Sequence, residues 1–293
     1  MATVPHTPGW LSPTGATLMA VVNLNTDSFS DPRDAHDPTE RLSAARRAVA
    51  AGADLVDLGA QSAALAAAIV PAADQVDVLV PLVTALHADG IAVSVDTYDI
   101  EVTRAVLAAG ADVVNDFSGN VDPDIIAATA EAGAWYVLTH NPVGPRRRQS
   151  DDAFYDDVVD HVLAFFEREL TTIEAQGLSP DRVLLDPGVD VGKTPAQTLD
   201  LLRGWERIRL AFDQPQLWAI SRKDVLGALT GRRPAERDAA TLALLAMLAG
   251  QPRTLARVHD VAASRDVLAV AAAVAGHRGV EPGLLDDDLR REA

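Results

Sequence analysis

Polar and charged residues stand at the ends of short apolar segments along the whole chain. The clearest case is the apolar segment 183–185, which ends at Asp186 and is followed by a Pro-Gly turn. A segment of this length, bounded by Pro and Gly, is too short for a helix and predicts a buried strand. In α/β folds the residues at the carboxyl ends of such strands bind the ligand. An aspartate can also cap the turn there, so Asp186 alone decides nothing.

A set of chemically active residues shares this position. It consists of Asn23, Asp96, Asn115, Asp186, Lys223, Arg257 and His259. Its aspartates and asparagines offer acceptors and amides, which suit a flat heterocycle with amino and lactam edges. Arg257 and His259, with Arg222 nearby, offer cations and donors that suit an oxyanion such as phosphate. Singly, an Asn is usually a turn residue and a His usually structural, so the prediction depends on the set meeting at one place.

Asn23 also begins a polar loop that contains Asp27. Amide and carboxylate oxygens are ligands that Mg²⁺ accepts in proteins. A Mg²⁺ ion at this loop could bridge the two phosphates of a diphosphate. We therefore expect a site that displaces a diphosphate, with the charge of the leaving group neutralised.

The distribution of lysine adds a second clue. Lys193 and Lys223 are the only lysines of the chain, and every other cationic side chain apart from histidine is Arg. A lysine kept in such a chain can serve where a compact, flexible ammonium is needed. Lys223 directly follows an apolar segment and is predicted to be functional. Lys193 follows the turn after Asp186, and both a functional and a surface role stay open for it.

The apolar segments alternate with helical patterns at similar spacing. Predicted strands cover residues 18–22, 54–59, 91–95, 112–114, 135–138, 183–185, 216–220 and 254–258. Predicted helices begin near residue 37 and cover residues 72–87, 101–109, 124–132, 153–176, 195–202, 235–249 and 261–275. This alternation indicates a parallel sheet, and eight units predict a TIM (β/α)8 barrel. An open doubly wound sheet is disfavoured because no Gly-x-Gly-x-x-Gly turn follows the first strand.

The barrel is expected to form one domain over residues 16–280, since no change of composition marks a linker. Residues 1–15 are rich in Pro and Thr and predict a flexible amino-terminal segment. Residues 281–293 predict a frayed acidic tail.

Composition excludes several classes of protein. The 293 residues carry a formal net charge of −17, which argues against nucleic-acid binding because that depends on basic side chains. No apolar segment approaches the length of a membrane span, and no signal peptide pattern begins the chain. The chain has no cysteine, so disulfides and thiolate chemistry are excluded. A soluble cytoplasmic protein is expected.

Two further features have competing interpretations. Ser221 and His259 could belong to a nucleophilic triad, but no nucleophile elbow surrounds Ser221, and the adjacent Arg and Lys favour anion binding. The run of arginines at 146–148 is interpreted as a solvated loop, with steering of a phosphate as the alternative.

Short motifs at consistent barrel positions resemble the dihydropteroate synthase family. The matching stretches are residues 23–31, 94–97, 114–116, 186–194, 221–223 and 257–261. They follow the order of the family's motifs, and the resemblance extends from Leu18 to about Ala275. It implies a pterin-binding barrel that joins 4-aminobenzoate to (7,8-dihydropterin-6-yl)methyl diphosphate. The products would be dihydropteroate and diphosphate, as a step of folate biosynthesis.

The resemblance also implies roles for individual residues. The pterin would be bound by Asp96, Asn115, Asp186, Ala219 and Lys223. The diphosphate and 4-aminobenzoate would be bound by Asn23, Asp27, Ser28, Ser62, Ser221, Arg222, Arg257 and His259, with Asn23 as a ligand of Mg²⁺. The catalytic residues would be Asp96, Asp186, Lys223, Arg257 and His259. Members of the family are typically homodimers through their later helices, which here include residues 242–248.

The chain departs from the family pattern in its loops. The second loop should read Gly-Gly-Glu-Ser-Thr-Arg-Pro-Gly, but Ala64 stands at the position of its Arg. Asp190 and Val191 replace the expected Gly-Phe, and Ala219 replaces a Gly. An alternative is therefore a paralogue that binds a pterin but lacks synthase activity or has it altered. A partner-binding protein on the same barrel has no positive feature behind it. A methyltetrahydrofolate-dependent methyltransferase would not need the motifs at 221–223 and 257–261.

Overall fold

The structure, a computed structural model, describes residues 8–23, 38–61, 68–279 and 289–290. Its strands form a closed barrel in which every neighbouring pair is parallel and the strands follow one another in chain order. The strands are β1 (Thr17–Asn23), β2 (Leu55–Gly59), β3 (Val93–Asp96), β4 (Val113–Asp116), β5 (Trp135–Thr139), β6 (Val183–Asp186), β7 (Gln216–Trp218) and β8 (Thr254–Val258). The predicted TIM (β/α)8 barrel is confirmed.

Helices surround the barrel. Over the described ranges they are α1 (Pro38–Ala50), α2 (Ala72–Ala88), α3 (Ile100–Ala108), α4 (Pro123–Ala132), α5 (Val158–Ala175), α6 (Pro195–Arg203), α7 (Trp205–Ala211), α8 (Asp224–Thr230), α9 (Asp238–Leu248) and α10 (Val261–Val274). The sequence patterns missed α7 and α8, which have only seven residues each and no side-chain cap at their amino ends. None of the helices within these ranges is long and apolar enough to cross a membrane.

Aspartates define where several of the helices begin. Helices α3, α4, α5 and α10 are capped by Asp99, Asp122, Asp157 and Asp260, whose carboxylates accept backbone N–H bonds of the first turn. Asp157 explains why α5 begins at Val158 rather than at the predicted residue 153. Such a cap stabilises a helix by about 1 kcal/mol and also complements the positive end of the helix dipole.

An apolar layer fills the lower part of the barrel. It contains Met19, Leu55, Val113, Trp135, Val137, Leu184, Leu217 and Leu255, together with Leu11 from the segment before β1. Trp10 packs edge-on against Trp135 with ring centroids 5.5 Å apart. A second apolar cluster lies between the strands and the helices. The barrel therefore has a dry floor below its carboxyl-terminal mouth.

The predicted domain boundaries at residues 16 and 280 stay a prediction. Residues 1–7, 280–288 and 291–293 lie outside the described residues. Within the described part of the amino-terminal segment, Leu11 is 5% exposed and packs with the apolar layer of the barrel.

Candidate active site

The strand register sets polar residues at one level of the barrel mouth. The Cα of Gly59 pairs with Asn23 on one side and with Asp96 on the other, and Asp96 pairs in turn with Asn115. Side chains two residues apart on a strand share a face, so Asp57 lies on the same side of β2 as Gly59, one layer deeper. A methyl group on Gly59 would lie 3.3 Å from Cβ of Asp96, so glycine keeps this level of the mouth open.

Asp57 is the centre of the polar layer, although the sequence did not single it out. It is 1% exposed and accepts hydrogen bonds from Oγ of Ser94 at 2.6 Å and from Nδ2 of Asn115 at 3.2 Å. Nε of Arg257 donates to its other carboxylate oxygen at 2.7 Å. The available signal was a charge in the middle of an apolar strand, which is costly unless the charge is paired. We add Asp57 to the candidate site as the residue that orients Arg257 and Asn115.

Asp96 lies on the far side of the same guanidinium. Nη2 of Arg257 is 3.5 Å from Oδ2 of Asp96, so one arginine bridges two carboxylates. Burial, together with the charge of Asp57, raises the pKa of Asp96 to about 7, and Arg257 opposes that rise. Asp96 can therefore exchange a proton near neutral pH, which is rare for an aspartate.

Asp186 ends β6 and lies at the floor of the mouth. It is 6% exposed, and its carboxylate accepts the backbone N–H of Gly188 at 2.8 Å. Burial raises the pKa of Asp186, whereas that N–H bond and the charge of Lys223 oppose the rise. Burial likewise lowers the pKa of Lys223, and the carboxylates of Asp190 and Asp186 oppose that fall. Acids and cations from different loops therefore act on one another here, as the sequence predicted.

Lys193 supports the loop between β6 and α6. It is 6% exposed, which excludes a surface role. Its Nζ lies 3.0 Å from the carbonyl oxygens of Gly188 and Val191 and 2.8 Å from Nδ1 of His140. Gly188 has a φ of 73°, and a Cβ there would lie 2.3 Å from the carbonyl oxygen of His140. The loop that begins at Asp186 is thus fixed by a lysine inside it and by a required glycine.

The stretch 221–223 after β7 is held from the side. The guanidinium of Arg222 makes two bonds with the carboxylate of Asp238, of 2.7 and 2.9 Å. Nη1 of the buried Arg237 donates to the carbonyl oxygens of Arg222 and Lys223 at 2.9 and 3.0 Å. The residue predicted to border 4-aminobenzoate, Arg222, therefore already has a carboxylate partner within the chain.

His259 follows β8 and contacts the neighbouring loop. Its Nδ1 lies 2.9 Å from Oγ of Ser221, and its backbone N–H donates to the same oxygen at 3.3 Å. Desolvation of the ring and the cations Arg222 and Arg257 lower the pKa of His259, so the ring is neutral at pH 7. If the Ser221 hydroxyl donates to Nδ1, the proton of the ring is on Nε2, which can then donate to an anion.

A cavity of about 570 Å³ opens beside this loop, between α1 and the start of α10. Arg47, Arg222 and His259 lie on its wall. Cationic and neutral donors on the wall of a concave site suit an oxyanion.

The remaining predicted residues are accounted for as follows. Ala219 follows β7 and is partly exposed at the mouth. Asp27, Ser28, Ser62 and Ala64 lie outside the described residues. Of the arginines at 146–148, Arg147 and Arg148 are exposed, as the solvated-loop interpretation expects. The described part of the chain contains no group of three His, Cys, Asp or Glu side chains placed to hold a metal ion.

As a whole, the mouth offers two kinds of binding surface. Asp57, Asp96, Asn115 and Asp186 form an acidic, largely desolvated cup above an apolar floor, which can bind the N–H edge of a heterocycle. Arg257, His259 and Lys223 supply donors for a negatively charged group at its rim. Charge that develops between the cup and the rim would be stabilised by groups already in place.

Comparison with known proteins gives one consistent result. Residues 19–259 match the family model of pterin binding enzymes. The type-2 dihydropteroate synthase of Escherichia coli is 35% identical over 259 residues, covering 88% of this chain and 95% of that protein. The Yersinia pestis dihydropteroate synthase in a sulfonamide drug complex superposes with a TM-score of 0.83 at 29% identity, over 92% of this chain and 97% of the other. The Xanthomonas albilineans enzyme with 4-aminobenzoic acid gives 0.79 at 35% identity, over 89% and 93%.

Proposed function

We propose, because the chain belongs to the dihydropteroate synthase family of pterin-binding enzymes, that the cup described above carries out the reaction of that family. The chain is a transferase that joins 4-aminobenzoate to (7,8-dihydropterin-6-yl)methyl diphosphate, giving dihydropteroate and diphosphate in folate biosynthesis. The observation that carries the assignment of residues is the bridge that Arg257 makes between Asp57 and Asp96 in the barrel mouth.

The pterin ring would lie in the acidic cup. Asp96 and Asp186 would accept N–H bonds from the ring, and the side-chain oxygen of Asn115 would accept a further one. The assignment of Asn115 is supported by its amide nitrogen, which already donates to Asp57 and so leaves the oxygen toward a ligand. Lys223 would donate to the lactam oxygen, and Ala219 would contact the ring. A desolvated cup strengthens each of these bonds.

The diphosphate would lie at the rim, against Arg257 and His259. A neutral His259 with its proton on Nε2 donates to an anion, and the charge of Arg257 counters the charge of the phosphates. Asn23, Asp27 and Ser28 complete this side of the site in our proposal. The cavity of about 570 Å³ with Arg222 and His259 on its wall supports an anion at this side of the mouth.

The reaction begins with the bond between the pterin methylene carbon and the diphosphate oxygen. This C–O bond breaks, and its electron pair leaves on the diphosphate, stabilised by Arg257 and His259. The positive charge left on the pterin is stabilised by the carboxylates of Asp96 and Asp186. The amine nitrogen of 4-aminobenzoate then bonds to the methylene carbon and loses a proton to water.

The 4-aminobenzoate would lie between the second loop and the stretch 221–223. Ser62, Ser221 and Arg222 are the residues we assign to it. Arg222 is paired with Asp238, so its guanidinium can act on a carboxylate only while shared with that residue. We therefore expect weaker binding of the carboxylate than an unshared arginine would give.

Mg²⁺ is proposed as the cofactor. Since the described residues offer no cluster of three ligating side chains, most ligands of the ion would be oxygens of the diphosphate and water, as is common for Mg²⁺ beside phosphates. Asn23 is the protein ligand we propose, with Asp27 nearby in the chain. Neutralisation of the diphosphate charge is the chemistry that Mg²⁺ supplies when it is bound.

A cytoplasmic homodimer is the proposed state of the protein. Large apolar side chains are exposed on the last two helices, namely Met247 at 55%, Val270 at 64% and Val274 at 85%. Helices α9 and α10 pack against each other, so these side chains can form one face that a second copy would cover. Light scattering of the wild type and of Val270→Glu tests the proposal, and a monomeric wild type would refute it.

One assay tests the proposed function. The protein is incubated with Mg²⁺, the pterin diphosphate and ring-labelled 4-aminobenzoate, and labelled dihydropteroate is separated by chromatography. We expect product that depends on both substrates. Pterin binding without labelled product would instead support the alternative, a pterin-binding paralogue without ordinary synthase activity.

A further inference from the structure

Asp190 places a carboxylate between the two loops that the proposed function gives to the substrates. It lies between Asp186 and Lys193 in the loop after β6. Its Oδ2 accepts the backbone N–H of Val225 at 3.2 Å, at the start of α8 and two residues after Lys223. The bond thus connects the pterin side of the mouth to the stretch 221–223.

The second oxygen of Asp190 is exceptional. Oδ1 is buried and has no hydrogen-bond partner among the described residues. A buried carboxylate oxygen without a donor is costly. The backbone of Asp190 is also in the left-handed region, with a φ of 60°, which aspartate tolerates less readily than glycine. Neither feature improves the stability of the loop, so both favour a role in binding.

The charge of Asp190 acts on the substrate side of the loop. Among the charged neighbours of Lys223 it is the one that most strongly raises the pKa of that ammonium, ahead of Asp186. An incoming carboxylate beside Lys223 and Arg222 therefore meets two carboxylates that belong to the chain, Asp190 and Asp238. The cations that would attract an anionic amine are already partly neutralised.

We propose that Asp190 is a specificity-determining residue that disfavours arylamines bearing a carboxylate and leaves uncharged arylamines unaffected. The inference rests on the proposed function, because that function assigns the amine to the stretch 221–223. The chemical class that this site then favours is an arylamine whose para substituent is neutral. Two like charges roughly 10 Å apart in a partly buried site at an effective dielectric constant near 20 change an affinity by about one order of magnitude.

The test compares Asp190→Asn with the wild type on two amines. Asparagine has nearly the same size, tolerates the left-handed backbone and can still accept the N–H of Val225, so mainly the charge is lost. The kcat/KM is measured for 4-aminobenzoate and for 4-aminobenzamide, with saturating pterin diphosphate and Mg²⁺. We expect kcat/KM for 4-aminobenzoate to rise about tenfold through a lower KM, and that for the amide to change less than about twofold.

Two further variants serve as controls. Asp213→Asn removes a charge from a fully exposed residue before β7, and it should leave the ratio of the two amines unchanged. Asp190→Gly removes the carboxylate together with the backbone strain, and it should reproduce the selectivity change even if Asp190→Asn fails to fold. Equal changes for both amines, or no change for either, would show that Asp190 only holds α8, and would overturn the proposal.

Failure of the proposed function gives a different result. If the wild type forms no product with either amine, that function is wrong. The affinities of 4-aminobenzoate and 4-aminobenzamide are then measured by calorimetry on wild type and Asp190→Asn loaded with the pterin and diphosphate. A tenfold gain confined to the anionic amine still supports the role of Asp190, and its absence refutes that role.

Discussion

Asp57 accepts a 2.7 Å hydrogen bond from Nε of Arg257, although the two residues are 200 positions apart in the chain. The bond joins β2 to β8 on either side of β1, which pairs with both strands. It holds the guanidinium where its other end meets Asp96. The cation proposed to bind the diphosphate is thus oriented by a carboxylate that is itself inaccessible to the substrate.

The first prediction concerns this ion pair. Asp57→Ala should lower the free energy of unfolding by about 3 kcal/mol, since removing one partner of a buried pair leaves the other charge uncompensated. Asp57→Asn should cost less, because the amide oxygen can still accept from Ser94. Urea denaturation measures both, with Asp213→Asn at an exposed position as the control. An unchanged midpoint for Asp57→Ala would contradict the role given to Asp57.

The fold was predictable because it is written in local patterns. Eight apolar segments, each followed by a helical pattern, allow few arrangements other than a parallel barrel. The strand ends, and therefore Asp96, Asn115 and Asp186, followed from the same patterns. Helices α7 and α8 were missed because seven residues give too short a period to recognise.

The contacts of the site were not predictable in the same way. Asp57 lies between two apolar residues within a strand, and only the closed barrel shows that Arg257 is its partner. Lys193 was left open between surface and function because its partner, His140, belongs to another loop. The pairing of Arg222 with Asp238 depends on how α9 packs, which no local pattern contains.

The second prediction is a pH dependence of pterin binding. Asp96 must be ionised to accept N–H bonds, and its pKa is raised to about 7 by burial and by Asp57. The dissociation constant of a pterin should therefore fall as the pH rises through about 7. Calorimetry between about pH 5.5 and 8.5 measures it, and Asp96→Asn should remove the inflection. The same inflection in both proteins would assign it to another group.

The titration of Asp96 also has a consequence for stability. A carboxyl group with a raised pKa keeps a proton in the folded state that the unfolded chain loses near pH 4. Its contribution to stability is therefore full at low pH and decreases as the pH rises toward 7. The difference in unfolding free energy between the wild type and Asp96→Asn should show this decrease.

The third prediction separates the charge of Asp186 from its shape. Asp186→Ala should abolish pterin binding, since the ring loses an acceptor at the floor of the cup. Asp186→Asn should keep the bond with the N–H of Gly188 and weaken pterin binding by about 2 kcal/mol, the typical value of a hydrogen bond to a charged group. Calorimetry with a pterin decides between them. Tight binding by Asp186→Ala would remove Asp186 from the site.

The fourth prediction concerns the second loop, which lies outside the described residues at Ala64. Ala64→Arg should raise turnover, because an arginine there would add a charge-assisted bond to the leaving diphosphate. Steady-state kinetics with both substrates measure the effect, and Ala64→Met serves as a control for side-chain size. Unchanged kcat in the arginine variant would show that this position does not limit the reaction.

The fifth prediction concerns Lys193, whose pKa is lowered to about 7 by burial. A neutral amine can donate to the carbonyl oxygens of Gly188 and Val191 and accept the Nδ1–H of His140, so all four groups are satisfied. Lys193→Met leaves these partners unpaired. It should therefore lower the free energy of unfolding by about 2 kcal/mol and weaken pterin binding through displacement of Asp186.

The pH dependence of Lys193 identifies the cause. Between about pH 7 and 10 the unfolded chain keeps a proton on Lys193 that the folded protein has lost, so this group adds stability as the pH rises. The slope is at most about 1.4 kcal/mol per pH unit, and it should be absent in Lys193→Met. Urea denaturation of both proteins across this range measures the difference. Parallel stability curves would mean that Lys193 stays charged in the fold and holds the loop as an ammonium.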